Sequence, residues 1–478
     1  MATAQQPPVQ AEFVKAISRL DATALVVGSM IGSGIFIVSA EILREVGTPG
    51  LLLVVWALSG VVTLMGALTY GELAAMFPNA GGQYVYLREG ISPLFGYLYG
   101  WTLFVVIQTG TIAAVAVAFA RFTSVLLPSL SPELWSGLGT VVTLPQPLGT
   151  IQVGFSPQRV LAILSIVVLT WINVRGVRTA AIIQTSLTTV KTAALAGLIV
   201  LGISIGRNAA AVAANFGPGF WPAGGLSLAL LPVIGAATVG SLFSMDAWNN
   251  VGFAGSELKN PRRDLPFAMA AGVLTVTALY LLANVSYLNV LPADAIAHAP
   301  QDRVGTAALQ AIFGGPGLYI MAIAIMISTF GCNNGLILSG ARVYYAMARD
   351  NLFFETAGIL HPRYKTPTVA LVVQAVWTCV LCLSGTYSQL LNFVIFAALL
   401  FYTLTAIGLF ALRAKRPTAE RLVKSLGYPW LPGLYVVATA LIAVDLLVNH
   451  VTRTYSLLGL ALVLLGVPVY IIWRRLVP

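Results

Sequence analysis

The stretch "VVGSMIGSGIF", Val26 to Phe36, lies in the first long apolar segment of the chain and decides its fold. Three glycines and two serines occupy five of the seven positions from Gly28 to Gly34. Gly28 and Gly32 form a GxxxG pair of the kind that lets membrane helices pack closely. Close packing does not require the consecutive Gly32-Ser33-Gly34, and residues of these types weaken a helix. We therefore predict a helix that is interrupted at this point.

The composition places this helix in a membrane. Of the 478 residues, 58% are hydrophobic and 9% are charged, whereas a soluble domain has about 25% charged residues. The apolar runs are continuous, which excludes the alternating pattern of a membrane β-barrel. The sequence predicts an all-α membrane protein, with one transmembrane domain over residues 1–478 and twelve spans. The predicted spans cover residues 22–46, 50–76, 95–127, 158–175, 181–205, 231–256, 266–291, 316–347, 368–385, 388–412, 430–449 and 455–473.

The basic residues that give the chain its net charge of +10 are unevenly distributed between its connecting segments. If the amino terminus is cytoplasmic, most of the 26 Lys and Arg fall in cytoplasmic segments. This asymmetry fits the positive-inside rule and predicts a multi-pass protein of the plasma (inner) membrane with both termini in the cytoplasm. We interpret the excess of basic residues as a consequence of the membrane topology and of contact with anionic membrane lipid. We expect no nucleic-acid partner.

A second interruption is predicted in span six, which reads "GAATVGSLFSMDAWNNVGFAG" from Gly235 to Gly255. Spans one and six each begin a set of five spans. Interrupted helices at matching places in two halves indicate an inverted repeat with a binding site near the middle of the membrane. The first five-helix repeat would cover residues 22–206 and the second residues 231–413, while helices eleven and twelve at 429–475 lie outside the repeat.

The chemistry of such breaks predicts a zwitterionic ligand. The second half of span one would expose the N–H groups of Ser33, Gly34 and Ile35 at the positive end of a helix dipole, where a carboxylate binds well. The carbonyl groups near Ile31, and near Phe243 and Ser244 in span six, suit an ammonium group. Small residues let the backbone approach a ligand closely. Ser29 and Gly32 complete the predicted binding stretch in span one, and the ligand class is an α-amino acid or a similar small zwitterion.

Lys191 is a charged residue near the middle of span five. A lysine in the membrane centre is costly, so its position calls for an explanation. In one interpretation its long side chain reaches back to the cytoplasmic surface. In the other, its ammonium group lies between spans one and eight, where Ser328 and Thr329 are candidate partners, as a permanent strut or as a proton-coupling site.

Three more residues of span six have two interpretations each. Asp246 is a ligand contact or protonation site, or it is a carboxylate that caps the second half-helix. Phe243 and Trp248 either face lipid or form a gate over the substrate, and their position beside the break favours the gate.

The chain resembles the amino acid–polyamine–organocation (APC) transporters over spans one to ten. The stretch "SLFSMDAWN", together with Lys191, is most similar to the L-type amino acid transporter branch and its bacterial relatives. The other matching stretches are "GSMIGSGIF" (Gly28–Phe36), "TYGELAAMFPNAGGQYVYLREG" (Thr69–Gly90), "INVRGV" (Ile172–Val177), "GSELKNPRRDLP" (Gly255–Pro266), "ARVYYAMARDNLF" (Ala341–Phe353) and "HPRYKTP" (His361–Pro367).

This resemblance implies a twelve-helix, LeuT-like fold with a five-plus-five inverted repeat, discontinuous helices 1 and 6, and amino acid transport by alternating access. It implies that Ser33 and Gly34 bind the carboxylate and that the carbonyls of Ile31 and Phe243 bind the amine, with Phe243 also acting as a gate. By the same resemblance, Val106 and Ile107 on span three would line the side-chain pocket.

The expected function is sodium-independent exchange of neutral L-amino acids. The alternatives are a proton-coupled symporter, if Lys191 or Asp246 titrates during the cycle, and an antiporter of cationic amino acids or polyamines. No Ser/His pair or metal cluster is available in the membrane, so we expect neither an enzyme nor a cofactor. The outer loop after span three contains no partner-linking cysteine, so we expect no covalently linked accessory subunit.

Overall fold

The computed structural model describes residues 13–143, 150–384, 387–449 and 452–476. The chain is almost entirely helical in these segments. The helices are α1 (Arg19–Met30), α2 (Gly34–Val46), α3 (Pro49–Met76), α4 (Gln83–Gly90), α5 (Pro93–Thr102), α6 (Gln108–Leu126), α7 (Pro157–Val174), α8 (Val177–Ile203), α9 (Ala209–Asn215), α10 (Leu231–Ser244), α11 (Pro261–Val290), α12 (Ala293–Ala297), α13 (Val304–Phe313), α14 (Gly315–Arg349), α15 (Thr368–Ser384), α16 (Tyr387–Lys415), α17 (Trp430–Val448) and α18 (Arg453–Leu476). A π-helical turn, Leu103–Ile107, joins α5 to α6, and short 3₁₀ turns occupy Leu228–Leu230, Asn250–Glu257, Pro300–Asp302 and Glu355–Gly358.

Within the described residues, nine helices are long and apolar enough to cross a membrane, and the bent pair α1–α2 makes a tenth span. Two further predicted spans, the sixth and the ninth, coincide with α10 and α15. These helices have 14 and 17 residues and are shorter than a full crossing. The protein is therefore a multi-pass helical membrane protein, and the count of twelve stays a prediction.

The first span bends where the glycines predict a break. A capping box starts α1, in which the Ser18 hydroxyl accepts from the Asp21 N–H and the Asp21 carboxylate accepts from the Ser18 N–H. Helix α1 ends at Met30, α2 begins at Gly34, and the two axes differ by 41°. The Gly32 N–H donates to the Met30 carbonyl at 2.9 Å, so the connecting backbone makes a tight turn instead of continuing the helix.

The sixth predicted span also changes conformation inside its polar stretch. Helix α10 ends at Ser244 and the chain resumes as the 3₁₀ turn Asn250–Glu257. Between them Ala247 has a positive φ of 66°, a conformation that a non-glycine residue rarely adopts. Two irregular segments thus lie inside the bundle, one after α1 and one after α10.

Helix α11 runs against both α1 and α3, and glycines set the spacing. A Cβ atom built on Gly272 would lie 2.4 Å from Val26 Cγ1, and one built on Gly60 would lie 2.3 Å from Thr277 Cγ2. Neither glycine can carry a side chain without moving its neighbour. The first interrupted span is therefore held closely against α11.

The all-α prediction misses a two-stranded ribbon. Strands β1 (Gly139–Thr143) and β2 (Thr150–Gly154) pair antiparallel between α6 and α7, with Gly139 opposite Gly154. Their β-branched residues favour extended backbone, but the strands are too short to stand out beside the apolar spans. The ribbon lies in a segment predicted to be a loop, so it leaves the helical bundle unchanged.

Both ends of the described chain reach the same end of the bundle. The Phe13 ring contacts the Tyr345 ring edge-on at 4.9 Å, and Trp473 Nε1 donates to the Asn351 carbonyl at 2.9 Å. Residues 345 and 351 lie at or just beyond the last turn of α14. We call this the basic end, and it carries Lys15, Arg88, Arg349, Arg413 and Arg416.

Candidate functional site at the helix breaks

Lys191 reaches the break in the first span. Its side chain is 1% exposed, and its ammonium group donates to the Gly28 carbonyl and, at 2.7 Å, to the Ile31 carbonyl. The Ser328 carbonyl on α14 lies 3.3 Å away. The interpretation in which Lys191 extends to the membrane surface is wrong, because the ammonium group is buried between α1 and α14. It places a positive charge among carbonyl oxygens that a helix break leaves without N–H partners.

The two hydroxyl residues predicted beside Lys191 behave differently. The Ser328 hydroxyl donates to the carbonyls of Ile31 and Gly32, at 3.1 and 3.2 Å, so it supports the break directly while its own carbonyl faces Lys191. Thr329 Oγ1 donates to the carbonyls of Ile325 and Met326 in its own helix. The structure therefore brings Ser328 to the break and does not bring the Thr329 hydroxyl to Lys191. A hydroxyl bonded back to the preceding turn is a common arrangement in apolar helices.

Two residues that the sequence analysis does not single out complete the support of the first break. Cys332 Sγ lies 2.9 Å from the Ser29 carbonyl, and the Tyr280 hydroxyl lies 3.0 Å from the Met30 carbonyl. Every carbonyl from Gly28 to Gly32 thus lies within hydrogen-bonding distance of a donor on another helix. Unpaired carbonyls in a membrane cost several kcal/mol each, so these donors make an interrupted helix tolerable.

The face of α8 that carries Lys191 also contacts α1 on the amino-terminal side of the break. The hydroxyl of Thr185 donates to the Asp21 carboxylate at 3.0 Å, and that of Thr188 donates to the Ala24 carbonyl at 3.1 Å. Thr185, Thr188 and Lys191 are spaced by three residues and therefore form one stripe on α8. This stripe fastens α1 to α8 from its first turn to its end.

The start of α2 touches the end of α10. Ser33 is buried and precedes the first helical residue, Gly34. A Cβ atom built on Gly34 would lie 2.0 Å from Ser244 Oγ. The N–H groups of Gly34 and Ile35 belong to the first turn of α2, to which the helix itself supplies no carbonyl partners. The predicted carboxylate-binding backbone therefore directly adjoins the break in the other span.

The predicted gate residues are buried around the second break. Phe243 is 7% exposed and lies in the last turn of α10, while the Ser244 hydroxyl donates to the Gly240 carbonyl in the same helix. The Trp248 ring packs edge-on against Tyr70 at 4.8 Å and obliquely against Tyr402 at 5.6 Å. Neither aromatic side chain faces lipid, which removes the alternative that they are lipid-facing.

Asp246 lines two small internal cavities. Its carboxylate accepts a hydrogen bond from the Tyr402 hydroxyl of α16. One cavity of ≈ 20 Å³ reaches from Asp246 toward Thr63, and another of ≈ 10 Å³ reaches toward Thr111. Each has space for about one water molecule, so the described conformation is closed around the breaks.

The two predicted pocket positions on the third span fall in the π-helical turn. Val106 and Ile107 are 7% and 6% exposed, and Ile107 lines the smaller cavity beside Asp246. A π turn inside a longer helix often marks a functional site, because it leaves backbone groups out of the regular ladder. No residue pattern in "LFVVI" predicts this turn.

A polar network that sequence reasoning missed holds the segment after the second break. Asn249 Nδ2 donates to the Gln83 side chain at 2.7 Å, and Asn250 Nδ2 donates to the Gln108 side chain at 3.4 Å. Gln108 in turn donates to the Leu336 carbonyl at 2.7 Å. The position of Gln108 in an apolar span could have indicated this network, because polar residues inside a membrane usually have a structural or functional role.

A larger cavity of ≈ 700 Å³ opens at the basic end, lined by Lys15, Arg88 and Arg349 among others. Beside it, the buried carboxylate of Glu257 accepts from Arg342 Nε at 2.8 Å, with side chains that are 0% and 1% exposed. None of the residues that line this cavity belongs to either break.

Comparison with known proteins identifies sequences of the same kind. A family model described as "Amino acid permease" matches residues 17–468. The chain is 31% identical over 459 residues to the serine/threonine exchanger SteT of Bacillus subtilis, covering 95% of this chain and 96% of the relative. It is 31% identical over 467 residues to the human large neutral amino acids transporter small subunit 2, covering 95% and 80% of the two chains. The human b(0,+)-type amino acid transporter 1 is 29% identical over 427 residues, with 88% and 80% covered.

Proposed function

The chain belongs to the amino acid permease family, within the amino acid–polyamine–organocation superfamily, and we propose that it exchanges neutral L-amino acids across a membrane without sodium. Family membership confirms the resemblance seen in the sequence. The protein is a transporter and not an enzyme. The proposed substrate class and the exchange mode draw on the serine/threonine exchanger and on the large neutral amino acids transporter among its relatives.

The contacts of the Lys191 ammonium group are the observation that supports the proposal. Its ammonium group binds the Gly28 and Ile31 carbonyls beside the Ser328 carbonyl, and three carbonyl oxygens around one charge form a cation site. A covalently tethered cation needs no sodium ion from solution. Because this charge cannot leave with the substrate, the carrier returns best when it is reloaded, which is exchange.

We assign the backbone of Ser33 and Gly34 to the substrate carboxylate. The carbonyls of Ile31 and Phe243 would receive the ammonium group, with Ser29, Gly32, Ser244 and Asp246 completing the site. In the described conformation the Ile31 carbonyl already accepts from Lys191 and Ser328, so a substrate ammonium would share or replace these donors. Phe243 and Trp248 would act as the gate, and Val106 and Ile107 would border the substrate side chain.

The architecture that this mechanism needs is a twelve-helix bundle. The repeat at residues 22–206 and its inverted partner at 231–413 would rock against each other about the breaks, with 429–475 outside the repeat. The charges at the basic end support a cytoplasmic location for it, and hence for both termini, in a plasma (inner) membrane. Lipid and the amino acid are then the expected partners, with no role for nucleic acid.

We propose that no accessory subunit is linked by a disulfide. The curated human relative is described as a small subunit, so the point needs its own test. Cys332 and Cys382 are buried and Cys379 is half-buried, each within a helix. These positions do not offer a surface thiol. Non-reducing electrophoresis of the protein from its native membrane should give the same mobility as reducing electrophoresis, and a reducible heavier band would contradict the proposal.

The function is tested in proteoliposomes. Uptake of a panel of labelled amino acids is measured with and without unlabelled amino acid inside, in sodium-free buffer and with or without a pH gradient. Uptake of neutral amino acids that depends on internal substrate supports the proposal. Uptake driven by the proton gradient into empty liposomes would replace it with symport, and selective uptake of lysine or polyamines would overturn the substrate class.

A further inference from the structure

The loop before α15 packs against the junction of α7 and α8. Thr366 Oγ1 donates to the carbonyl of Val174, the last residue of α7, at 2.9 Å. A Cβ atom built on Gly176, the residue before α8, would lie 3.9 Å from the Tyr364 carbonyl oxygen. The loop follows α14, whose last turn lies at the basic end, so the junction lies at the same end of the bundle. We call residues 174–178 and 361–368 the α7–α15 corner.

Four basic side chains of this corner lack a carboxylate partner. The sequence has no acidic residue between Glu133 and Asp246 or between Glu355 and Glu420. Ion pairs join other charged residues of the described segments but none of these four. Helix α8 adds positive charge here, because it begins without a side-chain cap and without an acidic residue in its first turn. The four basic residues are Arg175, Arg178, Arg363 and Lys365.

Two of these arginines lie over aromatic rings. Arg175 Cζ is 3.9 Å from the centre of the Trp171 ring, and Arg363 Cζ is 5.5 Å from the centre of the Tyr364 ring. A ring attracts the guanidinium group but does not neutralise its charge. Three other arginines that lie over rings also pair with a carboxylate, namely Arg19 with Asp264, Arg88 with Asp350 and Arg413 with Glu72. The arginines of the corner have the ring but lack the anion.

The two helices that meet at the corner expose apolar side chains at helical spacing. Each of these side chains is between 37% and 61% exposed. Helices α7 and α15 pack against each other, so the two stripes lie on neighbouring helices. In a membrane, exposed stripes of this kind contact acyl chains, and a tryptophan beside basic residues is typical of the membrane–water interface. The stripes are Leu164, Val167, Val168 and Trp171 on α7, and Val369, Val372, Val376 and Val380 on α15.

We propose that the α7–α15 corner binds the headgroup of an anionic phospholipid whose acyl chains lie along the two stripes. Arg175 and Arg363 would donate to the phosphate oxygens, because a guanidinium group matches phosphate geometry. The first N–H groups of α8 favour an anion at the same place. The apolar stripes that lead to the cations favour a lipid over a free phosphate ion. The site is separate from the helix breaks, so it does not rest on the proposed substrate or on exchange.

The test measures how dioleoylphosphatidylglycerol raises the unfolding midpoint of the whole protein in neutral detergent. A basic residue near an anionic membrane surface contributes about fivefold in affinity. We therefore expect Arg175→Gln combined with Arg363→Gln to need about twentyfold more lipid for half of the full stabilisation. Dioleoylphosphatidylcholine and inorganic phosphate should stabilise the wild-type protein little. Equal stabilisation by phosphatidylcholine or by inorganic phosphate would overturn the assignment to an anionic lipid.

Arg262→Gln combined with Arg263→Gln is the matched control. It removes the same charge from two exposed arginines at the start of α11 that lie over no ring in the described segments. Its response to phosphatidylglycerol should match wild type, and equal weakening in the two double variants would overturn a localised site.

Two further variants separate lost binding from a damaged fold. Arg175→Lys combined with Arg363→Lys keeps both charges and should need at most about fivefold more lipid than wild type. Arg175→Gln alone applies the test with a smaller change and should need about fivefold more. A wild-type lipid response in Arg175→Gln and in the double glutamine variant would contradict the proposal.

Discussion

Gly34 and Ser244 bring the two interrupted helices into direct contact. A Cβ atom built on Gly34 would lie 2.0 Å from Ser244 Oγ, 2.7 Å from its Cβ and 3.1 Å from its Cα. The first residue of α2 thus lies against the last turn of α10 with no side chain between them on the α2 side. Such proximity explains why the span-one break needs glycine at this position and joins the two proposed halves of the substrate site.

Gly34→Ala should reduce exchange at least about tenfold while the protein still inserts in the membrane. The added methyl group meets the Cβ and Cα of Ser244, which a change of side-chain rotamer cannot move away, so α2 and α10 must separate. Exchange in proteoliposomes measures the effect.

Gly197→Ala is the matched control, because a Cβ atom at this α8 position meets nothing within 4 Å and its exchange rate should be unchanged. Combining Gly34→Ala with Ser244→Gly removes the Cβ and hydroxyl contacts and should restore part of the activity. Full activity in Gly34→Ala alone would contradict the need for close contact.

The interruption of the first span can be predicted from the sequence because the residues that weaken the helix are consecutive. Consecutive Gly32-Ser33-Gly34 weaken a helix whatever surrounds them. A lysine in an apolar span must find oxygen partners, but the sequence allows Lys191 to find them either at the membrane surface or at the break, and only the structure places it at the break. Which hydroxyl faces the lysine depends on side-chain rotamers in α14, and Thr329 instead bonds to its own helix. The sequence does not single out Tyr280 for a similar reason: tyrosine is common in membrane helices, and only packing shows that its hydroxyl reaches the Met30 carbonyl at the break.

Lys191→Ala should lower exchange at least about tenfold at every pH tested. The substitution leaves the Gly28 carbonyl without a donor and removes one of the two donors to the Ile31 carbonyl. Each unpaired buried group costs about 1–3 kcal/mol. Initial rates of exchange measure the loss.

Thr189→Val is the control for Lys191, because the Thr189 hydroxyl donates only to the Thr185 carbonyl in its own helix and lies on the exposed side of α8. Its rates should match wild type. Wild-type rates in Lys191→Ala would show that the tethered charge is dispensable. A gain of sodium-dependent uptake would strengthen its assignment to the place of an ion.

Glu72→Gln should lower thermal stability far more than Glu89→Gln. The Glu72 carboxylate is fully buried and accepts from Arg413 Nη2 at 2.5 Å, Arg421 Nε at 3.0 Å and the Ser425 N–H at 2.8 Å. Loss of its charge leaves two arginines without their counter-charge, at a cost of up to about 3–5 kcal/mol.

Glu89 forms ion pairs that are partly exposed, with Arg416 at 2.7 Å, and their loss should cost less than about 1 kcal/mol. Unfolding midpoints in detergent, followed by tryptophan fluorescence, compare the two variants with wild type. Equal midpoints for Glu72→Gln and Glu89→Gln would show that the buried cluster adds no stability to the connection between α16 and α17.

Asp246→Asn decides whether this carboxylate binds substrate or only caps the chain after α10. Asparagine has nearly the same size, still accepts the hydrogen bond from Tyr402, and is as good a cap as aspartate. A capping role therefore predicts little change. A role in binding the substrate ammonium requires the negative charge, because a charge-assisted hydrogen bond is about twice as strong as a neutral one. We expect KM for neutral amino acids to rise about tenfold in Asp246→Asn, whereas Tyr402→Phe, which keeps the charge, should raise it less; an unchanged KM in Asp246→Asn would assign the residue to capping.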